Sequence, residues 1–336
     1  KNRQAKWTQA IKELSRHAKH RHVMTGTGFI NDPSEIWSLL NFLEPQRFRS
    51  YWQFRWRYCR EEEWSGFRKV VGIRENRIDE FIALRKEFGP RRTMEEVHSD
   101  IHQPIETKIG VELSSVQRRM YDETVRYLRM LDQQGYPIRS PNVVAQIQRL
   151  RQVTAATPEL EGVEIDGIKP RQIVRLVEPS SKLDAVMEII ESIGWDAENR
   201  RQVVVFSVFR DTLELLKIRL KKAGVTYIHL EQRDSDQVRF EKWHELFPRK
   251  EHQVFLSTID LGGESINLTP ASYCIFIDKS WSPAKNAQAV GRVYRPGQRD
   301  VVEIFYIHAN RTIDTKVESD VKRKVNWFHL LFDDVA

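Results

Sequence analysis

The chain has 336 residues, 40% of them hydrophobic, which allows about two domains and enough apolar side chains for packed cores. Lysine and arginine number 54 against 47 aspartates and glutamates, and the resulting net charge of +7 favours a polyanionic partner without specifying one. Two cysteines, Cys59 and Cys274, supply neither a metal-ligand spacing nor a disulfide framework, no apolar run approaches the ~20 residues of a membrane span, and Lys1 begins no signal peptide. The expectation is a protein of a reducing interior, intracellular and cytoplasmic (nuclear in a eukaryote), with no metal site and no membrane partner.

Residues 1–45 read as helix, strand and helix, with Thr8 to Leu14 before Val23-Met24 and Pro33 to Leu43 after it. His17, His20 and His22 precede that strand without matching ligands nearby and read as a basic surface turn. Residues 46–180 are mostly charged and helical, punctuated in their second half by Pro137, Pro141, Pro158 and Pro170. Within them Arg47, Arg49, Arg55, Arg57, Arg60, Arg68 and Lys69 are interleaved with Tyr51, Trp52, Phe54, Trp56, Tyr58, Trp64 and Phe67. Such a mixture can track a phosphate backbone or stack on bases. A helical insertion whose aromatics form their own small core is the preferred reading.

From Ser181 the pattern changes to helices alternating with short β-branched runs, which argues for a parallel sheet covered on both faces. The candidate strands are Val203 to Phe206, Thr226 to Leu230, Val254 to Leu256, Tyr273 to Ile277 and Val302 to Ile307, and the candidate helices between them Asp211 to Ala223 and Ser235 to Phe247. At the end, Ile313, Val317, Val321 and Val325 form one helical stripe, with Phe328, Leu331 and Phe332 to pin it.

Two segments carry chemistry. The run Asn286-Ala-Gln-Ala-Val-Gly-Arg-Val-Tyr-Arg-Pro-Gly-Gln298 holds Gln288, Gly291, Arg292, Arg295 and Gln298. Two arginines three apart on a short helix point the same way, so both guanidinium groups can reach one anion, most plausibly a nucleotide γ-phosphate. Gln288 lies one helical turn before Arg292. In the second segment, Val254 to Thr258 is followed by Gly262-Gly263 and by Ile266-Asn267-Leu268-Thr269. Paired glycines let a backbone approach a ligand, and small hydroxyl residues at a strand end offer donors to phosphate or ribose, although a tight turn explains Gly-Gly equally well. Lys279 and Trp281 follow the strand at Tyr273, where α/β folds present functional loops; Trp281 reads equally as packed against the next helix.

In order and type these segments resemble the C-terminal part of a Swi/Snf-type ATPase, in the superfamily-two group of DNA translocases. His22-Val-Met-Thr-Gly-Thr27 resembles the family's Thr-Gly-Thr motif, and Glu35 to Leu43 the helix after it. Arg91-Arg92-Thr93 and Val111 to Ser114 with Gln117 and Tyr121 resemble the stretch re-entering the second lobe, and Arg149 to Gln152 and Ser181 to Leu183 resemble two further family blocks. Val203 to Ser207, Thr258 to Thr269 and Gln288 to Gln298 are similar to motifs IV, V and VI. Three departures stand out: Gly28 in place of proline, Glu231-Gln232-Arg233 in place of an Asp-Gly-Ser or Asp-Gly-Thr turn, and Glu264-Ser265 in place of an apolar residue and glycine.

The resemblance implies an α/β fold, a RecA-like parallel sheet covered by helices with a mainly helical insertion. Residues 1–45 would be the remnant of a first lobe, 46–180 the insertions, 181–307 the second lobe and 308–336 a C-terminal brace helix. It assigns Arg292 and Arg295 as catalytic fingers, and Gln288, Gly263, Glu264 and Gly291 to nucleotide binding and coupling. Ser207, Arg210, Thr258, Asn267, Lys279 and Trp281 become nucleic-acid contacts, with Ser207 alternatively ending a strand and Asn267 bracing a turn. Thr25, Gly26 and Thr27 become coupling residues. The implied cofactors are ATP and Mg2+, bound mainly by a first lobe, and the implied partners are that lobe and double-stranded DNA. No Gly-Lys-Ser or Gly-Lys-Thr loop and no Asp-Glu-x-His box occurs, and Lys1-Asn2 resembles the residues after that box, so these residues alone are expected to be inactive as an ATPase. A translocase on duplex DNA is the leading expectation; a non-catalytic DNA-binding or regulatory module and a strand-separating helicase are the alternatives.

Overall fold

The structure, a computed structural model, describes residues 3, 5–25, 33–64, 67–89, 94–98, 101–133, 141–166, 169–195, 200–263 and 266–332, with the backbone alone at 64, 67, 69, 95, 131–132, 141–144, 163–166, 169–173 and 323–332. The chain divides into two compact units, one of Lys1–Thr93, Ser282–Ala284 and Asp320–Ala336, the other of Met94–Trp281 and Lys285–Ser319.

The first unit contains α1 (Lys6–Ser15), a 3-10 turn (Pro33–Ile36) running into α2 (Trp37–Leu43), α3 (Tyr51–Tyr58), an antiparallel hairpin of β1 (Cys59–Trp64) and β2 (Phe67–Ile73), and α4 (Ile78–Phe88). Ser50 starts α3 because its hydroxyl accepts the Gln53 amide, one of the donors a helix start leaves unpaired. Trp37, Leu40, Phe48, Phe54, Tyr58, Ile73, Phe81 and Leu84 form a core of their own. The aromatic and basic segment therefore divides. Phe54 and Tyr58 enter this core, whereas Trp52 and Trp56 stay 61% and 76% exposed. The arginines find carboxylates: Arg57 and Arg77 each donate to Glu80 at 2.6 Å, and Arg47 grips Glu87 with two N–H groups.

No strand forms at Val23-Met24. Residues 21–25 have no regular structure and Met24 is 97% exposed, since an extended pair gains stability only against a neighbouring strand and none pairs with it among the described residues. Gly26, Thr27 and Gly28, and Arg91 to Thr93, lie outside the described residues.

The second unit runs α5 (Met94–Val97), β3 (Ile105–Val111), α6 (Ser115–Gln133), α7 (Pro141–Ala155), a hairpin of β4 (Thr157–Asp166) and β5 (Lys169–Val177), and α8 (Ser181–Ile193). The chain continues with β6 (Val203–Ser207), α9 (Arg210–Lys222), β7 (Tyr227–His229), α10 (Asp236–Phe240), β8 (Val254–Thr258), α11 (Ile259–Gly262), β9 (Tyr273–Phe276), α12 (Pro283–Val293, the first two residues counted with the first unit), β10 (Glu303–Ala309) and α13 (Ile313–Phe332, counted with the first unit from Asp320). Six strands form one sheet in the order β3-β10-β9-β6-β8-β7, and every neighbouring pair is parallel.

Alternation along β6 distributes the two cores. Val203 and Val205 face one side with Leu183, Leu213, Leu216, Leu256 and Ile275, while Val204 and Phe206 face the other with Phe255, Cys274, Phe276 and Ala289. Each such apolar side chain contributes about 1.5–3 kcal/mol by leaving water, so a central strand apolar at every position is stable only with both faces covered.

Two segments depart from expectation. Residues 46–180, read as mostly helical, carry two hairpins and the sheet's edge strand β3. Five of the seven β3 residues are exposed, so its sequence, Ile-Glu-Thr-Lys-Ile-Gly-Val, lacks the apolar run that marks a central strand. The expected helix Ser235 to Phe247 breaks into α10, a π-helical turn (Glu241–Leu246) and a 3-10 turn (Phe247–Arg249), because Pro248 has no N–H for an α-helical bond to His244. In α13, Val317 is buried as the apolar stripe requires; the side chains of Val325, Phe328, Leu331 and Phe332 lie outside the described residues.

Gly262 is where packing leaves least room. A Cβ there would sit 2.3 Å from Phe206 Cε1, and Phe206 is fully buried against Phe276 with ring centroids 5.2 Å apart. Gly262→Ala is expected to destabilise the protein by about 1–3 kcal/mol through overpacking. Urea unfolding measures the loss, and an unchanged midpoint would mean that Phe206 moves freely.

Candidate functional site

Parallel strands place all their carboxyl ends on one edge of the sheet, and the loops that leave that edge are where α/β folds bind ligands. β6 ends at Ser207, β8 at Thr258, β9 at Phe276 and β10 at Ala309. Arg210, Thr258, Gly263, Lys279 and Trp281 all follow or close one of these strands, so the residues singled out from sequence share an edge. They form two centres.

The first is built on α11 and α12. Thr258 caps α11, its Oγ1 accepting the Leu261 amide at 3.3 Å. The chain turns at Gly262 and Gly263, and the Gly263 carbonyl accepts Nη2 of Arg292 at 2.5 Å. The Leu268 amide in turn donates to the Arg292 carbonyl at 2.9 Å, fixing the loop against α12. A Cβ on Gly263 would lie 3.8 Å from Gln288 Oε1, so Gly263, Gln288 and Arg292 come together. Arg292 is half-buried, its Nε has no hydrogen-bond partner, and among the described residues no carboxylate pairs with it. Burial first, and then the positive charge of Arg295, hold its pKa below the ordinary guanidinium value.

The two arginines do not share a helix. α12 ends at Val293, because Arg295 precedes Pro296 and the proline ring disfavours helical backbone at the residue before it. Gly297 then turns with φ 99°, a left-handed conformation that glycine adopts readily. The expectation of one helical face was wrong in geometry, although Arg295 remains close enough to Arg292 to repel it. Gln298 clamps this turn: its Nε2 donates to the Ala271 carbonyl at 2.8 Å and its Oε1 accepts the Arg299 and Asp300 amides. Gly291 has open space where a Cβ would project. Glu264 lies outside the described residues.

The second centre is a buried charge network that sequence reasoning largely missed. Asp278, 5% exposed, accepts Ser207 Oγ and the Val208 amide, each at 2.8 Å. Arg151 Nη2 donates to the Lys279 carbonyl at 2.7 Å and stands 4.0 Å from Asp278 Oδ1. Lys182, fully buried, pairs with Asp314 at 2.6 Å, and Asp314 also accepts the Ala309 amide at 3.0 Å. Gln117 joins the helices, donating to the Val153 carbonyl at 2.7 Å and accepting the Ser181 amide at 3.1 Å.

The two aspartates differ in which influence wins. Burial pushes the Asp278 carboxyl up, and Lys182, Arg151 and its hydrogen bonds do not offset it. Burial also acts to raise Asp314, but Lys182, the Ala309 amide and Thr154 outweigh it and leave that carboxyl below its ordinary value. One signal for this network was legible: Lys182 occupies the helical positions that Val186, Ile189 and Ile193 fill with apolar groups, where a cation needs a buried partner.

The remaining candidates fall as follows. Ser207 has no exposed surface, so it is no surface contact; it positions Asp278 at the end of β6. Lys279 is half-buried with Nζ 3.6 Å above the Tyr306 ring, and burial lowers its pKa. Trp281 is half-buried beside Arg151, whose Cζ lies 5.7 Å from the indole ring. Asn267 is exposed and its Oδ1 accepts the Thr269 amide at 3.3 Å, the turn-bracing alternative. Arg210 is exposed at the start of α9, and Thr25 is exposed in its own unit. Among the described residues no helix is long and apolar enough to cross a membrane.

Residues 181–297, which carry β6 to β9 of the parallel sheet and the arginine at the glycine turn, match the family model described as the helicase conserved C-terminal domain. Residues 1–158 match the family model described as the SNF2-related domain, so the two family models lie side by side along most of the chain. Similar curated proteins include an uncharacterized ATP-dependent helicase of Mycoplasma pneumoniae, 26% identical over 298 residues, with 88% of this chain and 26% of that protein covered. The TATA-binding protein-associated factor BTAF1 of Arabidopsis thaliana is 27% identical over 377 residues (97% and 18% covered), and human chromodomain-helicase-DNA-binding protein 7 is 26% identical over 323 residues (91% and 10%). The chain thus spans 26% or less of the length of these three relatives. Among solved structures, the C-terminal part of the Fun30 ATPase domain shares the fold, with a TM-score of 0.53, 16% identity and coverage of 69% of this chain and 98% of that one.

Removing Asp314 strands a cation that is 0% exposed. Asp314→Ala is expected to cost about 3–5 kcal/mol, the range for breaking one side of a buried ion pair, whereas the paired Lys182→Met and Asp314→Leu replacement recovers most of it. The pH dependence has a fixed sign. With its folded-state pKa depressed, Asp314 contributes stability that is present above the ordinary aspartate value of about 3.9 and lost as pH falls through the lower folded value. Urea unfolding from about pH 5 down to pH 2 will show a shallower decline in Asp314→Asn than in the unsubstituted protein. Equal slopes would contradict the assignment.

Proposed function

We propose that this chain is the C-terminal motor portion of an ATP-dependent translocase on double-stranded DNA, with Arg292 and Arg295 supplying positive charge to the terminal phosphate of a bound nucleotide. One observation carries this reading: Arg292 is partly withdrawn from water, yet it is met by a peptide carbonyl and by no carboxylate among the described residues. A carbonyl orients a guanidinium without neutralising it, so the charge stays available to an anion. Repulsion between Arg292 and Arg295 works in the same direction, since an anion placed between them relieves it.

These residues fit a nucleotide phosphate. ATP, when bound, supplies the phosphoryl group and the free energy of its hydrolysis. Gly291 leaves room on α12, Gln288 offers an amide beside Gly263, and Arg292 donates to the Gly263 carbonyl at the same turn. None of these is a carboxylate, so the ligands of Mg2+ belong to another part of the motor, together with a glycine-rich phosphate loop. By this reading the 336 residues alone do not turn over ATP.

The same edge supplies contacts to a DNA backbone in this proposal. Arg210 and Thr258 stand at helix starts that follow β6 and β8, and Lys279 and Trp281 leave the end of β9. Ser207 acts indirectly, by holding Asp278 against the Val208 amide and so setting the turn into Arg210. Closure of the nucleotide site would shift this grip along the duplex.

DNA-stimulated ATP hydrolysis by the full-length gene product tests the proposal. Arg292→Ala and Arg295→Ala are each expected to keep nucleotide binding and to lose turnover by about 10³-fold or more, the scale of an arginine finger. Normal turnover in either variant would remove that arginine from the chemistry.

A further inference from the structure

We propose that Glu214, His229 and Glu231 form a binding site for a divalent transition-metal ion of the zinc type at the β7 edge of the sheet. The three residues come from different elements: Glu214 from α9, His229 from the last position of β7 and Glu231 from the loop that follows. One ligand atom from each lies within 4.8 Å of the other two.

His229 supplies the independent pointer. It is 7% exposed, and its Nδ1 makes no hydrogen bond although Glu231 Oε1 is 3.3 Å away and Glu214 Oε1 is 3.6 Å away. The imidazole nitrogen is directed between two carboxylates and bonded to neither, which is the orientation a shared ion requires. A tetrahedral ion with bonds of about 2.0–2.1 Å sets neighbouring ligand atoms about 3.3–3.4 Å apart, so the two separations from His229 Nδ1, 3.3 and 3.6 Å, need little adjustment. One imidazole and two carboxylates form a zinc-type donor set with a position left open, and a cavity of about 260 Å³ lined by Arg210, Glu214, Glu231, Gln232 and Arg233 adjoins them.

The groups around the site are otherwise accounted for. Lys217 Nζ lies 2.8 Å from Glu214 Oε2 and 3.4 Å from Glu231 Oε1, so its ammonium is the counter-charge that an entering cation would displace. Arg233 pairs with Glu231 Oε2. Asp234 accepts the Glu231 amide at 2.7 Å, and Lys242 bridges Asp234 to the His229 carbonyl, so the loop is held in place from behind.

Co2+ titrated into the metal-free protein, read by its visible absorption and then displaced by Zn2+, tests the site. One bound ion with the intense band of a tetrahedral centre is expected. That band is lost in Glu214→Gln and in His229→Gln, strengthened at limiting Co2+ in Lys217→Met, and retained when His17, His20 and His22 are all replaced by alanine. Glu214 is half exposed, so its variant keeps the test decisive even if His229→Gln does not fold. Absence of the band, its persistence in Glu214→Gln, or its loss with the three N-terminal histidines would overturn the proposal.

Discussion

A guanidinium drawn out of water needs a partner, and the partner chosen decides what the group can do. At Arg292 that partner is the Gly263 carbonyl. The bond depends on a sequence of tighter constraints below it. Val203 to Phe206 is buried on both faces, Phe206 leaves room for no side chain at Gly262, and the turn that follows delivers the next carbonyl to α12. Packing in the sheet thus fixes the direction of a single oxygen, and that oxygen fixes the direction of a charge. A carboxylate in the same place would hold the arginine more strongly and cancel it.

The Asp278 and Asp314 network solves a different problem at the same edge. Buried ion pairs rarely add net stability over apolar packing, because both partners must be desolvated. They do impose geometry. Lys182 fixes Asp314 at the start of α13, and Asp278 ties the end of β6 to the segment after β9 through Ser207 and Val208. The loops carrying Arg210, Lys279 and Trp281 are therefore anchored from inside the unit.

Much of this was legible in the sequence, for physical reasons that also explain the failures. Central strands such as Val203 to Ser207 are buried on both sides and announce themselves as β-branched runs; β3, exposed along one edge, has polar residues at the positions that would reveal it. Val23-Met24 looked like a strand because it is apolar and short, but pairing, which no sequence window contains, makes a strand. Spacing singles out Arg292 and Arg295 as candidates but does not put them on one helix, since Arg295 precedes a proline. Ser207 was ambiguous because a hydroxyl at a strand end serves equally well as a surface donor or as a buried brace. His229 gave no local signal at all: its carboxylate neighbours stand 15 residues before it and 2 after, on separate elements.

The central claim is that Arg292 keeps its charge for an anion that develops only during phosphoryl transfer. Comparing the affinity of the full-length gene product for a ground-state ATP analogue with that for ADP and aluminium fluoride, before and after Arg292→Ala, tests it most directly. The account predicts that the variant binds the ground-state analogue within a few-fold of normal and loses about 10²-fold or more in affinity for the transition-state mimic. Equal losses for both ligands, or no loss for either, would contradict it.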